Sequence, residues 1–257
     1  MTPYLAILLG ATLVSRASCH QVHGILLVNG TESPEWKYVR DVAPHFPYDP
    51  VEWEGSQFPK TPPIMDINGA NITCGRNAFH SAAKTETADI LAGSEVGFRV
   101  STDGDGEYGY FWHPGPGMIY LSRAPNDDLE NYRGDGDWFK IAYGGPVADN
   151  EWLIWKQNDF NFTIPETTPP GKYLMRIEQF MPTYDRNYTQ WYVNCAHVNI
   201  IGPGGGTPTG FARFPGTYVV DQPGLLIPKN QFIANDEPPE GFKLLDYQPP
   251  GPAVWSG

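Results

Sequence analysis

Short apolar segments separated by Gly, Pro, Asn and Asp recur along this chain, and they restrict its fold more than any other feature. The 257 residues include 28 Gly and 26 Pro, high counts for a helical protein, and apolar residues at helical spacing are hard to find. Val96, Phe98 and Val100 occupy alternate positions, so they should share one buried face of a β-strand. The pattern predicts an all-β fold, either a sandwich or a barrel.

The same pattern predicts further strands joined by long connections. These strands are 25–28, 118–122, 138–142, 159–164, 173–180 and 191–201. The Pro-rich connection over 31–71 is long enough to be either functional or disordered, and its aromatic residues favour an ordered surface loop. Beyond Gly202 we expect a tail that wraps the strands. Residues 20–257 are therefore predicted to form a single domain without an appended carbohydrate-binding module.

Residues 1–19 are predicted to be a secretory signal peptide. The apolar run over 4–14 is shorter than the roughly 20 residues that span a bilayer. Ala17 and Cys19 place small residues at the −3 and −1 positions of a cut before His20. A cut one or two residues away is the alternative. No second apolar span follows, so we expect a secreted, extracellular protein without a membrane anchor.

Removal of this leader would change the cysteine count. Cys19 leaves with the leader, and Cys74 and Cys195 remain as one possible pair. In an oxidising extracellular setting they should form a disulfide. Four Asn-x-Thr triplets, at Asn29, Asn71, Asn161 and Asn187, are consistent with secretion.

The charge balance restricts the partners. The net charge is −12 at pH 7, which argues against nucleic acid because phosphates need basic partners. The balance suits a soluble secreted protein that acts on a neutral polymer. We also expect the protein to be monomeric.

His20 is the first candidate metal ligand. At a free N-terminus this residue offers two nitrogens, the α-amine and the imidazole, and a second histidine would complete a compact site suited to Cu²⁺. The amine pKa near 8 lets it lose a proton to a metal at ordinary pH. His113 is the second candidate, because Pro114 and Gly115 would hold it in a stiff turn. A surface turn that happens to contain histidine is the alternative.

Tyr192 and Gln190 are the remaining candidates. Strand geometry places both on one face and Trp191 on the other. Tyr192 could approach a copper ion axially while Gln190 positions an oxygen species, or Tyr192 could be a packing aromatic. His23 and His197 should face away from the candidate ligands, because His23 is three residues from His20 and His197 is five residues from Tyr192.

Several segments resemble one known family in their order and spacing. They are His20 with 28–30, 71–74, 113–116, 138–141, 170–176, 190–195, 214–218 and 250–255. Each is weakly specific alone, but together they span nearly all of residues 20–257. The chain resembles the fungal lytic polysaccharide monooxygenases of auxiliary activity family nine (formerly glycoside hydrolase family sixty-one).

The resemblance implies a fold, a cofactor and a reaction. The fold would be an immunoglobulin-like (fibronectin-type) β-sandwich with long surface loops and a flat binding face. His20 and His113 would form a T-shaped histidine brace around copper, with Tyr192 axial and Gln190 beside it. The enzyme would use O2 or H2O2 and an external electron donor to abstract hydrogen from C1 or C4 of a β-1,4-glucan such as cellulose. The Cys74–Cys195 pair matches the disulfide usual in the family.

Two departures from the family pattern keep alternatives open. Thr183 occupies the position of a usual histidine, and threonine can donate a hydrogen bond but cannot act as a base near neutral pH. The alternative is a copper- or polysaccharide-binding protein of the same fold with little oxidative activity. A weaker alternative is a metal-free carbohydrate-binding sandwich, which needs an N-terminus other than His20.

The second departure concerns the substrate face. Residues 226–231 lack the family's usual aromatic. Tyr38, Tyr48 or Trp53 could stack on sugar instead, or could simply pack the early loop.

Overall fold

A computed structural model describes residues 20–43, 60–101, 109–228 and 241–257. The predicted leader, with Cys19, lies outside the described residues, as do Tyr48 and Trp53. The described residues include no helix that is long and apolar enough to cross a membrane.

The described part of the chain is built almost entirely from β-strands. The strands are β1 (Ile25–Val28), β2 (Thr31–Glu32), β3 (Ala88–Leu91), β4 (Glu95–Arg99), β5 (Gly117–Arg123), β6 (Trp138–Gly144), β7 (Pro146–Ala148), β8 (Glu151–Trp152), β9 (Asp159–Thr163), β10 (Gly171–Met181), β11 (Gln190–Ile201) and β12 (Phe211–Ala212). The helices are one short α-helix, α1 (Asn71–Cys74), and 3₁₀ turns at Ala78–Lys84, Pro125–Asp127, Arg186–Tyr188 and Leu244–Asp246.

Two sheets pack face to face. One has the order β2-β1-β4-β9 and the other the order β12-β6-β5-β10-β11-β3. Alternate residues of both sheets meet in one apolar cluster, which includes Phe98 of β4, Ile177 of β10 and Val198 of β11. The predicted all-β sandwich is confirmed, and it is consistent with the immunoglobulin-like class.

The larger sheet also buries its outer face, against loops. Residues 174, 180, 191 and 193 of β10 and β11 point to this side, where they meet Phe214 and Tyr218 from the tail. The prediction that the tail wraps the strands is therefore confirmed for its described residues. β12 pairs with β6, and Trp255 packs against Phe139 with ring centroids 5.3 Å apart.

α1 is held on this outer face by one disulfide and three hydrogen bonds. Cys74 is joined to Cys195 by the predicted disulfide. Thr73 is buried and donates its hydroxyl to the Phe214 carbonyl at 2.7 Å. Arg176, fully buried in β10, donates to the carbonyls of Ile72 and Thr73 at 2.9 Å each. These bonds make up for the small number of hydrogen bonds that a four-residue helix forms internally.

The six predicted long strands and the strand around Phe98 are all present. Val96, Phe98 and Val100 are each at most 2% exposed, which confirms their shared buried face. The short strands β2, β7, β8 and β12 and the edge strand β3 were not predicted. They have only two to four residues, which leaves too little alternation to detect.

Two histidines outside the candidate ligand set are buried. His197 is 1% exposed, and its Nε2 accepts a 2.8 Å hydrogen bond from Nε of Arg40. Burial and the Arg40 charge lower the pKa of His197 to about 3. His23 is fully buried and stacks on Phe111 at 5.0 Å; burial lowers its pKa to about 3, partly opposed by Asn194. His197 lies five residues after Tyr192 in the regular strand β11 and therefore projects to the other face, as expected.

The low pKa of His23 gives a stability prediction. Below about pH 6.5 the unfolded chain binds a proton on this ring, whereas the folded chain resists protonation until about pH 3. Folding stability therefore falls as the pH drops through this window, by about 2 kcal/mol between pH 7 and pH 5 for this residue. His23→Phe, which can keep the stacking on Phe111, should lose that contribution in denaturant unfolding at the two pH values. Equal pH dependence in both proteins would contradict the assignment.

Candidate metal centre

The rings of His20, His113 and Tyr192 meet at one end of the sandwich. The ring centroids are 5.7 Å apart for His20 and His113, 6.2 Å for His20 and Tyr192, and 5.9 Å for His113 and Tyr192. Nε2 of His20 and Nε2 of His113 are shielded from solvent. The structure thus brings together three predicted site residues that lie far apart in the sequence.

His20 begins an extended segment that leads into β1. Ser101, two residues after β4, accepts a hydrogen bond on its Oγ from the Gly24 amide and donates its own amide to the Val22 carbonyl, both at 2.9 Å. The His23 amide donates to Oδ1 of Asn194 on β11 at 2.9 Å. The segment is therefore fixed to both sheets before β1 begins.

His113 lies in a turn that precedes β5. Gly115 passes so close to β10 that an added Cβ would lie 1.9 Å from the Phe180 carbonyl oxygen. Only glycine fits this approach, and Pro114 restricts the backbone beside it. The stiff turn predicted around His113 is therefore packed directly against the sheet.

Tyr192 and Gln190 share the core-facing side of β11. Tyr192 is 3% exposed and donates its hydroxyl to Oε1 of Gln190 at 2.7 Å. Trp191 points to the outer face, where it stacks on Phe180 at 5.5 Å. The predicted division of the two faces is confirmed.

The donor set fits copper better than the harder cations. Burial lowers the pKa of His20 to about 4, so its imidazole is neutral at pH 7 and has a lone pair for a metal. No group of three or more His, Cys, Asp or Glu side chains lies together among the described residues. A metal at this site would need the terminal nitrogen of His20 as its third nitrogen donor, and a small, nitrogen-rich set suits copper.

Comparisons with known proteins decide the family. The model of Auxiliary Activity family 9 (formerly GH61) matches residues 20–236. The chain belongs to this family. AA9 lytic polysaccharide monooxygenase U of Thermothielavioides terrestris is 70% identical over 258 residues, with full coverage of both chains. AA9 lytic polysaccharide monooxygenase C of Emericella nidulans is 34% identical, with 96% coverage of each.

Solved structures show the same fold. The crystal structure of HiLPMO9B matches with a TM-score of 0.68 at 24% identity, covering 93% of this chain and 100% of that one. The extended catalytic domain of H. jecorina LPMO9A matches with a TM-score of 0.66 at 25% identity, covering 93% and 92%.

Thr183, at the position where the resemblance led us to expect a histidine, is fully buried in this chain. Its hydroxyl donates to the Asp185 carbonyl at 2.5 Å and lies 3.2 Å from Oγ1 of Thr189. Its carbonyl accepts a 3.0 Å hydrogen bond from the Ile227 amide. The side chain therefore stabilises the turn between β10 and β11.

Two exposed tyrosines in the β10–β11 turn were not among the aromatic residues considered for sugar contact, and of those considered, Tyr48 and Trp53 lie outside the described residues. Tyr38 is half-buried and packs against the core, which agrees with the alternative that it is a packing residue. Tyr184 and Tyr188 are 44% and 55% exposed, with ring centroids 6.1 Å apart. They follow Thr183 and precede Gln190, and this position beside predicted site residues is the signal that could have found them.

The close approach of Gly115 predicts the effect of a single methyl group. Gly115→Ala would push the His113 turn away from Phe180, because backbone oxygen cannot yield as a flexible side chain can. We expect a loss of about 1–3 kcal/mol of folding stability, as for other overpacked sites. Thermal unfolding measures that loss, and a changed Cu²⁺ affinity would report the displaced imidazole. An unchanged melting temperature and affinity would contradict the prediction.

Proposed function

We propose that this AA9 chain is a secreted, copper-dependent lytic polysaccharide monooxygenase. It cleaves a β-1,4-glucan, cellulose or a related chain, by oxidation at C1 or C4 with O2 or H2O2 and an external electron donor. The observation that carries the proposal is the convergence of His20, His113 and Tyr192 at one end of the sandwich. Membership in the family supports the reaction class.

The proposal requires cleavage of residues 1–19 ahead of His20. The family match begins at this residue, which supports a mature protein that starts there. The freed α-amine and the imidazole of His20 would then hold copper together with His113, and Tyr192 would lie beside them. Bound copper would supply one-electron redox chemistry toward O2 or H2O2.

The chain's own side chains have positioning roles. The buried hydroxyl of Tyr192 is directed to Gln190 by their hydrogen bond, which leaves the half-buried amide of Gln190 as the polar group at the rim. A carboxamide can both donate and accept hydrogen bonds, so Gln190 can orient a small oxygen-containing reactant there. Nε2 of His20 and Nε2 of His113 are shielded from solvent, which limits the access of competing water to these two atoms.

Exposed aromatics support a polysaccharide as the substrate. Tyr184 and Tyr188 present ring surface beside the β10–β11 turn, and Tyr110 is 39% exposed with its ring 5.1 Å from that of Trp112. Aromatic rings have an apolar body and a polar tip, which suits contact with the faces and hydroxyls of sugar rings. A structural relative is titled a cellulose-active polysaccharide monooxygenase from M. thermophila.

One observation favours a second candidate function. The hydroxyl of Thr183 is engaged within its own turn, so it does not replace the proton-transfer capacity of a histidine. The second candidate is a copper- or polysaccharide-binding protein of the same fold with little oxidative turnover.

Replacement of His20 tests the proposal. His20→Ala should abolish reductant-dependent glucan cleavage and lower Cu²⁺ affinity. Loss of a residue that only hydrogen-bonds to a metal ligand costs about 10–100-fold in affinity, and loss of the ligand itself should cost more. Isothermal titration with Cu²⁺ and chromatography of oxidised oligosaccharides measure the two effects. His80→Ala, at an exposed histidine, is the control and should change neither. N-terminal sequencing must first show that the secreted protein starts at position 20. Cleavage retained by His20→Ala would refute the assignment.

Replacement of Thr183 separates the two candidate functions. Thr183→Val removes the hydroxyl but keeps the shape, so we expect turnover within about threefold of wild type and a stability loss of about 1 kcal/mol from the lost hydrogen bond. Oligosaccharide release and thermal unfolding provide the measurements. A wild-type protein that binds copper but is inert, together with a Thr183→His variant that gains activity, would favour the binding-protein function instead.

A further inference from the structure

We propose that Gln21 and Gln179 form a buried amide bridge that sets the position of His20 relative to His113. The proposal rests on the proposed function, in which these two histidines hold copper. It assigns a positioning role to two side chains that the sequence did not single out.

The bridge is a continuous run of hydrogen bonds. Nε2 of Gln21 donates to Oε1 of Gln179 at 2.7 Å. Oε1 of Gln21 accepts from the Trp112 amide at 3.0 Å, and Nε2 of Gln179 donates to the His113 carbonyl at 3.1 Å. Both ends of the bridge thus reach the peptide units beside His113, while Gln21 directly follows His20.

The donor and acceptor pattern allows one arrangement of the two amides. The Trp112 N–H can only donate, so the oxygen of Gln21 must face it. The carbonyls of His113 and Phe180 can only accept, so the nitrogen of Gln179 must face them, at 3.1 and 3.2 Å. The remaining nitrogen of Gln21 and oxygen of Gln179 then match each other. A flip of either amide would leave like groups in contact.

The position of Gln179 in the sheet connects the bridge to the third site residue. Gln179 of β10 pairs with Tyr192 of β11 on one side and with Gly117 of β5 on the other. Directly paired residues of antiparallel strands project to the same side, so Gln179 and Tyr192 both face the site end of the core. Gln179 therefore connects the strand that carries Tyr192 with the turn that carries His113.

Burial makes the bridge costly unless it is complete. Gln21 is 3% exposed and Gln179 is fully buried, among positions such as Met175 and Ile177 that are apolar. A buried amide without partners destabilises the fold, whereas all four polar atoms here are bonded. An apolar pair would fill the same space but would specify no spacing between the histidine segments.

The test compares Gln179→Leu, Gln21→Ala and the double variant with wild type. Gln21→Ala is included because water can replace the shorter side chain near the surface, so this variant should fold. The matched control is Thr168→Val, which removes a buried 2.7 Å hydrogen bond to the Pro165 carbonyl, ahead of the opposite end of β10.

Three measurements distinguish positioning from simple stability. We expect Cu²⁺ affinity to fall about 10–100-fold in each single variant, with a changed Cu²⁺ EPR spectrum and no further loss in the double variant. Hydrogen exchange of the Trp112 amide, measured in the metal-free protein, should become faster in both single variants. Thr168→Val should lower the melting temperature without altering affinity, spectrum or exchange at Trp112.

Wild-type affinity and EPR spectrum in both single variants would overturn the proposal, as would the same changes in Thr168→Val. Failure of the proposed function is seen separately, because a wild-type protein starting at His20 would then bind no copper tightly. In that case, unchanged exchange of the Trp112 amide in Gln21→Ala would overturn the bridge, and faster exchange would support it.

Discussion

The antiparallel pairing of β10 with β11 is the interaction on which the rest of the structure depends. The two strands are in register from Gly171 opposite Ile200 to Met181 opposite Gln190. Because side chains alternate along both strands, this register places Tyr192 on the core-facing side of the sheet and Cys195 on its outer face. A slip by one residue would exchange the two sets, removing Tyr192 from the histidines and breaking the disulfide alignment.

The sequence was sufficient for the parts of the fold that repeat. The long strands, the alternate burial around Phe98 and the division of Tyr192 from Trp191 all follow from a period of two. The Cys74–Cys195 bond followed from counting the cysteines. The order of the strands in the two sheets and the parallel edge strand β3 were not predictable in this way, because pairing between distant segments leaves no local pattern.

The candidate site likewise contains residues that the sequence could indicate and residues that it could not. His20 and His113 could be named from the chemistry of their residue types and the stiffness of their neighbours. Gln21 and Gln179 could not, since glutamine is usually a surface residue and nothing local marks a pair that meets across 158 positions. Thr183 was noticed as a departure from a pattern, but only the structure shows that its hydroxyl serves a turn.

The burial of Thr73 has a consequence for any glycosylation at Asn71. Its hydroxyl belongs to the triplet Asn71-Ile72-Thr73 and is bonded to a carbonyl of the tail, 141 residues away. Asn71 itself is exposed, so a sugar chain attached there would extend outward from the folded domain. An oligosaccharide-transferring enzyme must contact the whole triplet, however. It can do so only while the nascent chain is still open, before the C-terminal segment closes over the threonine.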